Sequence, residues 1–288
     1  SKGKVVPDLT IKLFKLPVDK LLRASLPQPQ NAWLERANLQ GSILGKGRIY
    51  RRADGEIDYT VQGRLQDGRA RPFDGDYALR DIQARFTMDR SGVHFEELSA
   101  SHGASSFALA GDVDWDGDGV AVDLEGDATS VTCDRKILDL LPDDHPLRQK
   151  LETLHRQYQP TGRFDASIAM QRSATGADLT YVIKARPEKA AFTFREHRFK
   201  LSDIAGAVRL TPGKLEFQDL AASYPEGRAK VSGLVALEQG EAALSFTGRG
   251  DRIGPTIRSL LPTATREALD RFAFTSGFDI NTGRLNIT

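Results

Sequence analysis

Apolar and polar residues alternate with a period of two over most of the chain, the signature of strands with one face turned to an apolar environment. Ile57, Tyr59, Val61 and Leu65 stand against Asp58, Thr60, Gln62 and Arg64. Phe107, Leu109, Val113 and Trp115 oppose Asp112 and Asp114, while Val120, Val122 and Leu124 oppose Asp123 and Glu125. The scheme returns with Phe164, Ile168 and Met170 against Arg163, Asp165 and Ser167, with Leu179, Tyr181 and Ile183 against Thr180 and Lys184, and with Leu244 and Phe246. Turn signals separate the runs: Ala53-Asp54-Gly55, Gln66-Asp67-Gly68, Asp89-Arg90-Ser91-Gly92, Asp116-Gly117-Asp118-Gly119, Thr211-Pro212-Gly213 and Pro225-Glu226-Gly227. Links this short join antiparallel neighbours, so the pattern predicts a mainly β chain, an antiparallel meander of about 14 to 16 strands.

Three stretches break the alternation: Val18 to Pro27, Arg135 to Pro142 and Thr256 to Pro262. Each reads as a turn or two of amphipathic helix that stops at Leu-Pro, because proline disfavours helical geometry in the residue before it. Each follows an alternating strand (Leu9-Ile11-Leu13, Val122-Leu124, Leu244-Phe246) and leads through a second short segment to a strand opened by Gly41, Gly162 or Gly277. Between them, residues 77–115 and 199–237 align without a gap at an offset of 122, with nine of 39 positions identical. These are Leu79/Leu201, Asp81/Asp203, Ile82/Ile204, Phe95/Phe217, Leu98/Leu220, Ala100/Ala222, Ser101/Ser223, Gly111/Gly233 and Val113/Val235. Tyr77/Phe199, Met88/Leu210, Val93/Leu215 and Leu109/Val231 exchange conservatively, so the burial pattern repeats with the letters. The organisation predicted is a strand and helix unit over 1–40, a β block over 41–126, a helix unit over 127–160, a second β block over 161–250, and a third helix unit with the start of another block over 251–288. A block that begins on one strand and stops leaves an edge that repeat proteins cap, so the chain is expected to be a fragment of a longer repeat protein.

A one-faced sheet needs its apolar side covered by a second sheet, by curling on itself, or by an apolar ligand. Roughly 50 residues of helical pattern are too few to cover the strands predicted. The expected form is an elongated meander curled into a partly open groove, taco-like in section or an incomplete barrel, with the Leu-Pro helices at its edge or mouth. At about 4.8 Å between strands, sixteen of them would make a ribbon on the order of 75 Å long.

Composition narrows the partners. The 288 residues are 40% hydrophobic and 27% charged, the balance of a folded protein. Forty Lys and Arg against 39 Asp and Glu give a net charge of +1 and no electrostatic footprint for nucleic acid or for an anionic membrane surface. Cys133 is the sole cysteine, which rules out an internal disulfide or a multi-cysteine zinc site. No apolar run approaches the roughly 20 residues that span a bilayer, and no basic n-region of a signal peptide opens the chain. In a fragment, neither observation fixes location.

The strand blocks, together with the segments Leu9 to Ile43, Val122 to Asp165 and Leu244 to Asp279, resemble the AsmA-like superfamily, which includes TamB-like proteins. The resemblance covers nearly the whole chain through degenerate motifs, Leu-Pro and a following Gly. It implies a periplasmic protein of the bacterial cell envelope, anchored in the inner membrane in its full-length form. Its β-groove would shelter the acyl chains of phospholipids between inner and outer membranes. The anchor and the outer-membrane-facing part of such proteins have no counterpart in these 288 residues. A sheltered apolar stripe suits that task, since each methylene kept from water is worth about 0.8 kcal/mol. The lining would be Ile57, Tyr59, Val61, Phe107, Leu109, Val113, Val120, Val122, Leu124, Phe164, Ile168, Met170, Leu179, Tyr181, Ile183, Leu244 and Phe246. No residue would be catalytic and no cofactor is implied; the partners are phospholipids or other acyl lipids, and a membrane reached through other parts of the parent chain. The alternative is a structural or adhesive β-repeat protein whose own side chains fill the apolar face.

Other chemistry is weaker. Asp112, Asp114, Asp116 and Asp123 match part of a calcium-binding EF-hand loop, but Asp replaces Glu at the twelfth position and strands replace both helices. Two outward aspartates before a Gly-rich hairpin account for the same letters. His94, His102, His145, His155 and His197 lack metal-ligand spacing, with His145 and His155 read as helix surface, and Cys133 has no Cys-x-x-Cys partner. Neither Gly-x-Ser-x-Gly nor a phosphate-binding Gly-rich loop occurs. Gly45-Lys46-Gly47 reads as a bulge or bend inside a strand.

Overall fold

A computed structural model describes residues 8–26, 28–116, 119–143, 145–173, 177–194, 197–254, 257–258, 263–272 and 276–287. The alternating runs form fourteen strands: β1 (Asp8–Pro17), β2 (Gln40–Arg51), β3 (Ile57–Ala70), β4 (Leu79–Asp89), β5 (Gly92–His102), β6 (Ser105–Asp116), β7 (Gly119–Thr132), β8 (Thr161–Arg172), β9 (Thr180–Phe194), β10 (His197–Thr211), β11 (Lys214–Tyr224), β12 (Gly227–Ala236), β13 (Glu241–Gly250) and β14 (Phe278–Ile287). Their order in the sheet is their order in the chain, beginning at β1 and ending at β14, so the chain is a mainly β antiparallel meander. Helices α1 (Lys20–Ser25) and α2 (Gln28–Ala37) lie between β1 and β2, α3 (Pro146–Tyr158) between β7 and β8, and α4 (Thr263–Phe272) between β13 and β14. Six strands therefore separate successive helical insertions.

Local chemistry explains where the helices begin and stop. Asp19 caps α1, its carboxylate accepting from the backbone N–H of Leu21 and Leu22 at 2.9 and 3.0 Å. Leu26 then leaves the helix at φ −85, ψ 150, the extended geometry that a following proline imposes. The second Leu-Pro segment, Arg135–Leu140, is a 3-10 helix. His145, read from sequence as helix surface, instead caps α3, its Nδ1 accepting from Leu147 N–H at 3.2 Å. Leu261-Pro262 and Pro27 lie outside the described residues.

The chain forms two compact units. The first comprises residues 1–129, 139–143 and 167–181. Its core is Val18, Leu65, Ala70, Ile82, Ala84, Phe86, Val93, Phe95 and Val113, with Leu22 of α1 and Trp33 of α2 packed against it. The Trp33 and Phe95 rings lie 6.4 Å apart between centroids. Tyr77, 2% exposed, stacks on His102 at 3.8 Å and meets Phe107 edge-on, while His102 Nδ1 donates to the Ala78 carbonyl at 2.8 Å.

The second unit comprises residues 130–138, 144–166 and 182–288. Val131, Leu138, Leu147, Ala166, Phe199, Ala207 and Ala242 are its buried apolar residues. Cys133 N–H donates to the Gly162 carbonyl at 3.0 Å, as Val18 N–H does to Gly41 in the first unit at 2.9 Å. Arg198 ties the end of α3 to β8, Nη1 donating to the Gln159 carbonyl at 2.6 Å and Nη2 to the Thr161 hydroxyl.

The internal repeat is a repeat of register. Phe95 pairs with Gly111 and Leu98 with Leu109, leaving two residues on one strand against one on the other; Phe217 with Gly233 and Leu220 with Val231 do the same. Arg80 pairs with Ser101 as Ser202 pairs with Ser223, beside Asp81 and Asp203, which both take φ 50. Aspartate tolerates this left-handed conformation better than most residues, which gives the repeated letter a backbone reason. Two turn or bend assignments change. Gln66-Asp67-Gly68 is no hairpin turn: β3 continues through it with Asp67 at φ 52 and a register shift against β4. Gly45-Lys46-Gly47 pairs regularly with β3, and the irregularity lies opposite, at Lys15 of β1 with φ 49. Gly45 is needed because a Cβ there would meet the Gln62 carbonyl.

Candidate functional site

Cross-strand pairing assembles the alternating residues into rows across one face. In the first unit one row runs Gly47, Val61, Met88, Val93, Val113, Val122, and the next Gly45, Gly63, Phe86, Phe95, Gly111, Leu124. In the second unit the corresponding rows are Ile183, Leu210, Leu215, Val235, Ala242 and Ala185, Val208, Phe217, Gly233, Leu244. A third row, Leu220, Val231, Phe246 and Gly283, runs onto β14. Phenylalanine rings cover the bare backbone of facing glycines, Phe86 over Gly63 and Phe246 over Gly283.

The two units use this face differently. In the first, Ile82, Val93, Phe95 and Val113 are buried, and α1 and α2 supply part of their cover. Their repeat partners in the second unit, Ile204, Leu215, Phe217 and Val235, are only half-buried. Phe246 is more open still, at 37%. The same letters in the same register thus keep part of their apolar surface exposed in the second unit.

The lining residues inferred from sequence divide accordingly. Val113, at 2% exposure, belongs to the packed core of the first unit. Val61, Val120 and Leu124 pack against that core half-buried; Tyr59, Phe107, Leu109 and Val122 are also half-buried. Ile57, where β3 begins, is 58% exposed. Ile168, Met170, Leu179 and Tyr181 belong to the first unit and Phe164, Ile183 and Leu244 to the second, all half-buried. Ile204, Leu215, Phe217 and Val235 belong with them. Their signal was the offset of 122 itself, which marks them as counterparts of residues on the apolar face of the first copy.

Titratable groups on the face are few. Partial burial, then the charges of Asp89 and Asp58, push the Tyr59 hydroxyl above its ordinary value, and burial does the same to Tyr181. Burial and then Asp134 raise the Cys133 thiol, which marks it as a poor nucleophile. The polar face carries paired charges: Asp219, hydrogen-bonded by Lys230 and Ser232, is held below the ordinary carboxylate value. A cleft of about 130 Å³ lined by Arg64, Gln66, Gln83, Arg85 and Glu97 also opens there, too small and polar for an acyl chain.

The calcium alternative finds no support in this geometry. Asp112 and Asp123 face each other across β6 and β7, and Asp112 lies 2.7 Å from His94 Nδ1. Asp114 pairs with Ala121 and Asp116 with Gly119 along the hairpin, and residues 117–118 lie outside the described set. Among the described residues no three His, Cys, Asp or Glu gather as a metal site. No helix among them is long and apolar enough to cross a membrane.

Compared with known protein families, with curated proteins and with solved structures, the chain matches none.

Proposed function

We propose that this chain is a lipid-binding segment of a non-enzymatic envelope protein, which keeps acyl chains of phospholipid on the apolar face of its β-meander while headgroups stay in water. The observation that carries this reading is the half-exposed face of the second unit. Ile204, Leu215, Phe217 and Val235 repeat buried residues of the first unit, yet retain apolar surface that a ligand can cover. Covering it with hydrocarbon is favourable by about 25 cal/mol per Å² removed from water. The AsmA-like resemblance adds the setting: a periplasmic portion of a longer, inner-membrane-anchored protein that passes phospholipid toward the outer membrane.

The second reading, a structural repeat with a self-filled core, is favoured by one observation, the closed packing of Phe86, Phe95 and Val113 under Trp33 in the first unit. Mass spectrometry of lipid extracted from the purified chain separates the two. Co-purified phospholipid that is displaced by a bulky substitution at Phe217 is the result expected for lipid binding; lipid-free protein that takes up no acyl chain after incubation with vesicles supports the structural reading.

A further inference from the structure

One end of the apolar face in the first unit carries buried hydrogen-bond donors without partners. β2 ends at Arg51, which shares the apolar side with Ile43, Gly45, Gly47 and Ile49 by alternation, and Tyr59 stands opposite Ile49 near the start of β3. Arg51 Nη1 donates to the Gly55 carbonyl at 2.9 Å, holding the guanidinium at the β2–β3 turn, while its Nε is buried without a partner. The Tyr59 hydroxyl and the indole Nε1 of Trp115 are likewise buried and unpartnered. Trp115 stands on β6, three strands from Tyr59, its backbone N–H donating to the Ser91 carbonyl at 2.7 Å.

Part of the arrangement recurs. At offsets of 121 and 122, Arg172 ends β8 and Tyr181 stands near the start of β9. Arg172 Nε is again buried without a partner, and Tyr181 is again half-buried. All five residues belong to the first unit. Guanidinium and indole N–H groups only donate, and a phenol donates readily, so the complementary ligand is an acceptor with several oxygens. The nearby carboxylates do not supply it. Asp89 accepts from the Ser91 hydroxyl and backbone and from Gly92, and Asp58 from its neighbour's N–H at 2.8 Å with Arg52 beside it. Among the described residues neither Arg51 nor Arg172 has an ion pair. Tyrosine and tryptophan, apolar in body and polar at the tip, suit a boundary between hydrocarbon and headgroup.

We propose that this rim binds the anionic phosphate headgroup of a lipid, with Arg51 and Tyr59 as donors in the first copy and Arg172 and Tyr181 in the second. The proposal rests on the lipid-binding reading above and assigns it a preferred class, anionic over uncharged lipid. The test measures binding of the full chain to dihexanoyl phosphatidic acid, dihexanoylglycerol and inorganic phosphate by calorimetry, for wild type, R51Q/R172Q and Y59F/Y181F. Phosphatidic acid is expected to bind wild type about tenfold more tightly than the diacylglycerol. R51Q/R172Q should abolish that preference while leaving diacylglycerol binding in place. Y59F/Y181F keeps the rings and removes only the hydroxyls, and should weaken the preference about threefold, providing the test should the double arginine variant fail to fold. Equal binding of the two lipids by wild type, or a preference that survives both pairs of substitutions, overturns the headgroup site and leaves the acyl-chain reading standing. Binding of neither lipid overturns both. Binding of inorganic phosphate alone, lost in R51Q/R172Q, overturns the lipid source and leaves an oxyanion site.

Discussion

Gly111 sits at φ 129 with the Asp123 carbonyl where a Cβ would project, and Gly233 repeats this at φ 140 against Ala243. Each faces a phenylalanine of the apolar row, so backbone strain and packing act at one point. G111A and G233A are each expected to destabilise by about 2 kcal/mol or more, seen as a lower urea midpoint with an unchanged slope. G55A, at φ 92 with nothing within 4 Å, carries only the conformational cost, about 1 kcal/mol. A second residue-scale expectation concerns acid. Partial burial pushes the Asp89 carboxyl up, but hydrogen bonds from the Ser91 hydroxyl and from the backbone of Ser91 and Gly92 outweigh it, so the group titrates below its ordinary 3.8. A lowered value stabilises the fold above the unfolded pKa of about 3.9, and that contribution is lost as pH falls through the folded value. The stability difference between wild type and D89A should therefore narrow between pH 6 and pH 3 in urea titrations.

Helix α2 matters through Trp33, which lies over Phe95 and the core of the first unit. W33A should cost about 2 to 4 kcal/mol by urea denaturation, against about 1 kcal/mol for removal of the α1 cap in D19A. Periodicity made most elements legible, because alternation and the Leu-Pro stops reflect forces local to each segment. Asp67 was not legible. An Asp-Gly step supplies the left-handed residue that a hairpin turn needs, and a bulge within a continuing strand needs the same thing. The rim arginines escaped for a different reason. The repeat offset changes from 121 at Arg51/Arg172 to 122 at Tyr59/Tyr181, so an ungapped comparison does not bring both pairs into line. A charged residue ending a strand also reads as ordinary surface.

For the molecule as a whole, the sequence displays which residues share the apolar face but not how well that face is covered. Phe95 and Phe217 are the same letter in the same register, one buried under α2 and one half-open, and the difference lies in elements distant along the chain. This gives a comparative prediction. V113D, in the packed core of the first unit, should prevent folding, whereas V235D at the repeated position should leave a folded protein with reduced lipid uptake. Circular dichroism and lipid extraction from both variants check it; equal collapse would mean that the second face is core as well.

The order of the sheet also bears on how such a chain is made and enlarged. Every strand stands beside its neighbours in sequence, so each new hairpin can add to those already formed, with loop closures that stay short except at the helical insertions. Folding can then proceed in step with synthesis. Duplication of a segment from one helical insertion to the next, about 120 residues, would leave the order of pairing between sequence neighbours intact. A gene encoding this architecture can lengthen by whole periods without having to invent a new topology.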